Sequence, residues 1–390
     1  MYDAGGVTAA AAGSKADLAL PTDEGEVPFF PKPPSMLIKE KQQRMVAEEQ
    51  RQKGLTAKLV RSFNHAMFLL DTPETCAALH LFNPFILLTC VARSTGSLDS
   101  AFVLIALASA TEGNAPLAAF GLAAAAYISL YPVLLAPVVV LLLAGRWEDD
   151  VAGADNRRGT ARRMSVRTAS LRIGAWAAAW AAILISFSLA VLRHETAAAP
   201  ADTWRWARAT YGFILLVPDY TPNLGLYWYF FTEMFSQFKN FFLFVFQAQN
   251  VLLAAPFLIR LHHRPLFLAF LTLATIGTFK SYPAAGDVGL YLSLLPLLRP
   301  QLAHMRGVFF VGSVFAYIAI LSPIIWQAWI YHGTANANFF YGVTLAHALN
   351  QIFILHDATR SCLKYDHERK CVAGDRETSA FAGAREEREK

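Results

Sequence analysis

Charge is scarce in this chain. Asp, Glu, Lys and Arg make up 16% of its 390 residues, against about 25% in a soluble globular protein. With 55% apolar residues and a mean hydropathy of +0.35, that shortage excludes an ordinary soluble domain. Cysteine is scarce too. Cys76, Cys90, Cys362 and Cys371 form no CxxC pair and have no ligand histidines beside them, which excludes a disulfide framework and a zinc site and leaves scattered structural thiols. No Ser/His/Asp order, HExxH, Gly-rich phosphate loop or GxGxxG occurs, so the familiar hydrolase, phosphate and dinucleotide signatures are missing. No metal, cofactor or catalytic residue is expected. Residues 1–36 lack an apolar h-region, so they read as neither signal peptide nor anchor, and their composition predicts disorder.

What the chain does have is long apolar stretches. They run over about 77–92, 98–111, 115–144, 170–192, 226–259, 265–298, 307–330 and 339–359. Repeated runs of spanning length predict an all-α polytopic membrane protein. Its membrane domain covers 37–362, opening on an amphipathic basic stretch at 37–61 that reads as a surface helix or cytoplasmic connector. A polar cytoplasmic tail follows at 363–390. Several runs are interrupted. Leu130-Tyr131-Pro132 and Pro137 divide 115–144 into two short helices, and the Phe-Lys-Ser-Tyr-Pro-Ala-Ala-Gly-Asp segment from Phe279 to Asp287 splits 265–298. Broken helices of this kind are tolerated only where protein or a water-filled cavity covers their backbone.

The net charge of +5 has a topological origin and does not point to nucleic acid. Basic residues cluster between apolar runs, as the positive-inside rule expects. Loop 146–172, which contains the basic loop 146–169, holds seven arginines against four acids and faces the cytoplasm. Alternation then places 193–225, the hinge at 279–287 and 331–338 outside, and 260–264, 299–306 and the tail inside. The few arginines of 193–208 go against this pattern. The parity of segments before residue 115 stays open.

Three groups of residues carry candidate chemistry. Lys280 and Asp287 flank the hinge, where a lysine or aspartate at bilayer depth costs about 2.5–3.5 kcal/mol. A mutual pair or solvated hinge competes with contact to an anionic lipid group or partner subunit. The cytoplasmic helix ends bring Arg162, Arg163, Arg260 and His262, with Lys239 as a further candidate, for anionic phospholipid headgroups. Ordinary positive-inside topology explains the arginines equally well. At the outer mouth, Asn336 and Asn338 precede Phe339, Phe340 and Tyr341. An Asx residue before a helix is often its N-cap, a reading that suits Asn338 better than Asn336. The alternative is that both amides hydrogen-bond a sugar-phosphate headgroup while the aromatics cover lipid or glycan. The aromatic stretch 227–231 reads as an interface belt. Outer acids are few (Glu195, Asp202, Asp219, Glu233 and Asp287), and no local spacing pairs two of them for acid/base work.

The strings LFNPFILLTCVARST, YISLYPVLL, YGFILLVPDYTPNLGLYWYFFTEMF, FKSYPAAGDVGLY and IYHGTANANFFYGVTL resemble the PIG-U family, subunit U of glycosylphosphatidylinositol (GPI) transamidase. The resemblance covers about 37–360 and diverges over 146–170. It implies a GT-C-like bundle of transmembrane and half-membrane helices in the endoplasmic reticulum membrane. It also implies a non-catalytic subunit that binds or presents the GPI lipid, and the position of Asn336, Asn338, Phe339, Phe340 and Tyr341 at the outer mouth, reached from charge alternation, makes them the candidate GPI site. The implied partners are a catalytic cysteine-protease-like subunit on another chain, accessory membrane subunits, the GPI glycolipid and membrane phospholipids. Residues 1–36 depart from the family pattern, which begins with a membrane helix, a lumenal loop and a further helix, so the N-terminus reads as truncated or altered. The catalytic acid of GT-C glycosyltransferases is expected in that lumenal loop. Its absence weighs against the alternative of a glycosyltransferase using a lipid-phosphate sugar donor. A transporter also fits broken helices with buried charges, but no internal repeat is visible.

Overall fold

Asparagine and proline punctuate the chain. The computed structural model describes residues 72–145, 164–195 and 204–389, so segments 1–36 and 37–61 and most of the basic loop lie outside the described residues. In Leu-Phe-Asn-Pro, Asn83 accepts the Phe85 N–H at 3.0 Å and Pro84 takes the first helical position, where its missing donor costs nothing. This break separates α1 (Thr72–Leu81) from α2 (Pro84–Val91), which bend 50° from each other. Helix α3 (Gly96–Thr111) turns back into α4 (Ala115–Ser129), capped by Asn114. The expected division of 115–144 is present: Leu130 adopts φ 62°, a 3-10 turn covers Tyr131–Leu135, and α5 follows at Ala136–Leu143.

Beyond α6 (Val166–Glu195), a helical run α7 over 205–216 contains a π turn at Arg208–Gly212 and stops at Val217, φ 46°. The apolar stretch 226–259 is two helices, where its composition had predicted one. Helix α8 (Tyr227–Glu233) ends at Met234, whose backbone is extended, and α9 (Lys239–Leu261) starts after a 3-10 turn. Helix α10 (Pro265–Phe279) leads through the hinge to α11 (Ala285–Leu292), then to a 3-10 turn at Leu295–Leu298 and one helical turn at Arg299–Leu302. The last elements are α12 (Val308–Ile330) and α13 (Ala337–Glu389). Helix α13 carries on through the expected tail without a break. Among the described residues there are no strands, and the protein is an all-α polytopic membrane protein.

Helix α10 is the centre, with 13 of its 15 residues buried against α5, α9, α11 and α13. Its threonine hydroxyls need no polar partner on those helices because each donates one turn back: Thr272 to Leu268 O, Thr275 to Leu271 O and Thr278 to Ala274 O, at 2.7–2.8 Å. Lipid supplies little hydrophobic drive between helices, so close backbone approach becomes important. Gly121 allows it between α4 and α3, since a Cβ there would lie 2.7 Å from Ala106 N and Phe102 O. Among the described residues, three helices are long and apolar enough to cross a membrane: Val166–Leu192, Ser236–Leu261 and Val308–Ile330. The start of α13 is more polar because Thr344, His347, Asn350 and Gln351 lie on its buried side.

Long-range contacts sort into two ends. At one, Asp366 of α13 meets His263 and Arg264, and Glu368 meets His304. At the other, Tyr229 meets Asn338 and Tyr282 meets Asp219, and the local Lys280–Asp287 pair joins the hinge there. Charge alternation assigns the same two groups to opposite sides.

Candidate functional site

The hinge between α10 and α11 is an ion pair. Lys280 follows α10 with extended backbone (ψ 154°), and Asp287 stands in the first turn of α11. The Lys280 Nζ lies 2.7 Å from both Asp287 carboxylate oxygens, and the two side chains are 10% and 15% exposed. Asp287 Oδ2 also accepts the Ala284 N–H at 2.7 Å, so one carboxylate both caps the half-helix and neutralises the lysine. Helix α2 covers α11 closely. A Cβ on Gly286 would sit 2.9 Å from Thr89 Oγ1, and one on Gly289 would overlap Ile86. Asp99 of α3 stands near this hinge. It is 9% exposed and takes Ser129 Oγ at 2.9 Å on Oδ2, while Oδ1 has no hydrogen-bond partner.

Behind the hinge, the C-terminal carbonyl of α10 is satisfied from two directions. Tyr227 Oη and Asn250 Nδ2 each donate to Phe279 O at 3.2 Å. Tyr131 Oη lies 2.9 Å from both Gln247 Oε1 and Ser281 Oγ and accepts the Ser281 N–H at 3.1 Å. These bonds fix the backbone where the helix is interrupted, as burial without water demands.

The outer rim is built by α8 and α13. Asn336 is the residue that caps α13: its Oδ1 accepts the Phe339 N–H at 3.1 Å. Asn338 lies inside the first turn, and its Oδ1 accepts the Tyr229 hydroxyl. The capping roles expected of the two asparagines are therefore exchanged, because the helix begins at Ala337, one residue before Asn338. Both asparagines are exposed. Tyr341 stacks at a tilt on Tyr229, with ring centroids 4.7 Å apart. The other two aromatics part company. Phe339 is 62% exposed, whereas Phe340 is 4% exposed and packs on Trp228, Trp326 and Trp329. Phe340 is a structural wedge beneath the rim, and Asn336, Asn338, Phe339 and Tyr341 form its accessible part.

The basic residues do not come together as one group. Arg162 and Arg163 lie outside the described residues. Arg260 and His262 are exposed at the C-terminal end of α9. Lys239 opens the same helix, about 32 Å away at 1.5 Å per residue, with its ammonium 5.0 Å from the Tyr220 ring centroid. Lys239 thus stands beside Tyr220 at the opposite end of α9 from Arg260 and His262, too far for one headgroup to reach all three. The misplacement came from reading 226–259 as one helix. The strongest basic contact at the opposite end involves residues that spacing did not single out. Arg264 is 5% exposed and holds Asp366 Oδ1 through Nε at 3.1 Å and Nη2 at 2.8 Å, while His263 Nε2 holds Oδ2 at 2.9 Å.

Sequence reasoning also missed Tyr229 and Trp228 as parts of the rim. The aromatic run was visible, but only the approach of α8 to α13 makes Tyr229 a ligand of Asn338. Among the described residues no group of three or more His, Cys, Asp or Glu side chains is arranged to hold a metal. Asp219, whose backbone carbonyl accepts the Tyr282 hydroxyl at 3.1 Å, is committed to its own turn. Its Oδ1 accepts from Thr221 Oγ1 at 2.5 Å and Thr221 N at 2.9 Å, and these bonds hold its pKa below the usual carboxylate value.

A family model described as GPI transamidase subunit PIG-U matches residues 35–347. The GPI-anchor transamidase component PIGU of Cricetulus griseus is 33% identical over 320 residues, covering 80% of this chain and 68% of that protein. The Homo sapiens PIGU protein gives the same identity and coverage. The GPI transamidase component GAB1 of Saccharomyces cerevisiae is 31% identical over 276 residues, 70% of this chain and 62% of that protein. A family model matched over residues 35–347, with relatives above 30% identity over most of the chain, leads to one conclusion: the chain belongs to the PIG-U family of GPI transamidase subunits.

Proposed function

We propose that this chain is a non-catalytic membrane subunit of a GPI transamidase complex in the endoplasmic reticulum, holding the GPI lipid while a catalytic subunit on another chain performs the transfer. The observation that carries this reading is the outer rim. Two exposed amides sit beside Tyr229, Tyr341 and Phe339 at the end of the molecule that charge alternation places outside the cytoplasm. Aromatic side chains with a polar tip belong at headgroup depth, and neutral amides at that depth can bind a sugar-phosphate. The hinge ion pair holds the broken helix beside the rim in one conformation, and Lys280 and Asp287 act on lipid binding through that rigidity. Arg162, Arg163, Arg260 and His262 serve the opposite membrane surface, where anionic phospholipids dock.

The test is complementation of cells lacking the endogenous subunit, read as surface display of a GPI-anchored reporter at matched expression. The Asn336→Ala/Asn338→Ala double variant should lose display while still co-purifying with the other transamidase subunits. Normal display by that variant would rule out the rim as the lipid site. Failure of the unaltered chain to co-purify with any transamidase subunit would rule out the proposed role.

A further inference from the structure

Residues 157–172 hold six arginines and no acid. Four of those arginines stand in two tandem Arg-Arg-x-Ser/Thr blocks, Arg157-Arg158-Gly159-Thr160 and Arg162-Arg163-Met164-Ser165. Serine kinases of the arginine-directed class bind such a pattern through an acidic groove that pairs the arginines, with an apolar slot for the residue after the serine. Val166 fills that last position in the second block, where the first offers only Ala161. The first block, with Arg162 and Arg163, lies outside the described residues, but Ser165 does not. It is exposed and stands just before α6, its carbonyl accepting the Ala169 N–H at 2.9 Å. Met164 and Val166 on either side pack against the core, so the serine between them faces out. The neighbouring hydroxyls are less available. Thr168 and Ser170 are inside the helix, and Ser170 Oγ donates to Val166 O at 2.9 Å. Ser165 also stands clear of the hydrocarbon. The uncharged run 173–192 starts only after Arg172, seven residues on from Ser165 and about 10 Å along the helix.

We propose that Ser165 is a phosphorylation site for an arginine-directed serine kinase on the cytoplasmic side, and that its phosphate releases the neighbouring arginines from anionic phospholipid. In the transfer, Ser165 Oγ attacks the γ-phosphorus of ATP. The Oγ–P bond forms as the bond from that phosphorus to the β-phosphate oxygen breaks, ADP leaves, and the hydroxyl proton passes to the base of the kinase. The kinase takes residues 162–166 in extended form, which requires only the first turn of α6 to open, as helix ends do at low cost. The product carries a charge of about −1.5 to −2 at pH 7, set into a stretch with no acid of its own. Arginines clustered beside a membrane helix are held to anionic lipid by charge, and a phosphate among them weakens that hold. The release rests on the reading of Arg162 and Arg163 as phospholipid-docking residues and adds its regulation. The modification itself rests on the sequence block and on the exposure of Ser165.

The experiment incubates the purified transamidase complex containing this subunit with Mg-ATP and the catalytic subunit of cyclic-AMP-dependent protein kinase, and maps phosphate by peptide mass spectrometry. Ser165 should be modified, and Arg162→Gln/Arg163→Gln should slow the modification about tenfold or more. The chain recovered from complementing cells under phosphatase inhibition should carry the same phosphate. Absence of phosphate from Ser165 in both preparations, or its confinement to Thr160, would overturn the site. The modified and unmodified complexes are then titrated with palmitoyl-oleoyl phosphatidylserine and with the matching phosphatidylcholine, read by native mass spectrometry. Phosphorylation should weaken phosphatidylserine retention about tenfold and leave phosphatidylcholine unchanged. Ser165→Ala should retain phosphatidylserine normally and remove the effect of the kinase. Equal phosphatidylserine retention before and after modification would overturn the release. If Ser165 is modified but the unmodified complex shows no preference for phosphatidylserine, the modification stands and the phospholipid reading fails. If phosphatidylserine is preferred while Ser165 takes no phosphate, the phospholipid reading stands and the proposal fails.

Discussion

Lys280 and Asp287 stand seven residues apart on either side of Pro283, and the lysine Nζ lies 2.7 Å from each carboxylate oxygen of the aspartate. The pair resolves the conflict that the hinge poses. Two charges in an apolar stretch become one neutral unit, and the same carboxylate caps the half-helix that the proline and glycine interrupt.

Removing one partner should therefore be worse than removing both. Asp287→Asn retains a side chain able to cap Ala284 N but strands the Lys280 charge. It should lower stability by about 3 kcal/mol, less whatever water reaches the partly exposed pair. The Lys280→Met/Asp287→Asn double variant should recover much of that loss. Thermal unfolding of the purified protein in detergent measures both, and equal melting temperatures for the single and double variants would contradict the pairing.

Tyr131 should be needed for its hydroxyl more than for its ring. Tyr131→Phe leaves the buried Ser281 N–H without the acceptor it has at 3.1 Å, at a cost of about 1–3 kcal/mol. Hydrogen exchange at 279–284 should rise while α3 and α4 stay protected. Unchanged exchange at the hinge would show that the network does not hold it.

Two glycines should respond differently to alanine. At Gly121 a Cβ meets backbone atoms, Ala106 N and Phe102 O, 2.7 Å away, so α3 and α4 must separate, at about 1–3 kcal/mol. At Gly289 the obstacle is the Ile86 side chain. Gly289→Ala should be restored by Ile86→Ala, whereas no side-chain change rescues Gly121→Ala. Expression and melting temperature of the four variants check this.

The clamp on α13 should survive mild acid. Burial by itself would raise the Asp366 carboxyl, but hydrogen bonds from His263 and Arg264, with their charges, outweigh it and hold its pKa below the usual value. A carboxylate with a depressed folded pKa contributes stability that is complete above its unfolded pKa, about 3.9. That contribution is lost as pH falls through the lower, folded value. Hydrogen exchange over 360–371 should therefore stay slow from neutral pH to about 4 and accelerate only below. Asp366→Asn should show the fast behaviour at every pH. Loosening near pH 6 in the unaltered protein would mean that another group controls the clamp.

Composition and punctuation by themselves determined that this is a helical membrane protein. They also located the breaks at Leu130–Pro132 and Phe279–Asp287, because proline and positive φ act locally and leave no alternative partner for the backbone. Charge alternation sorted the helix ends into the same two groups that the contacts form, since each basic cluster is read one span at a time. The break at Met234 was not legible, because no proline or glycine marks it and an extended residue between two apolar helices has no compositional signal. That omission misplaced Lys239. The roles of Asn336 and Asn338, the burial of Phe340 and the part played by Tyr229 were decided by tertiary structure alone. Each depends on where α8 meets α13 across more than a hundred residues of sequence, and on a helix start that falls one residue before Asn338. A side chain's hydrogen-bond polarity is fixed by its neighbour in space, and only the packed helices supply that neighbour.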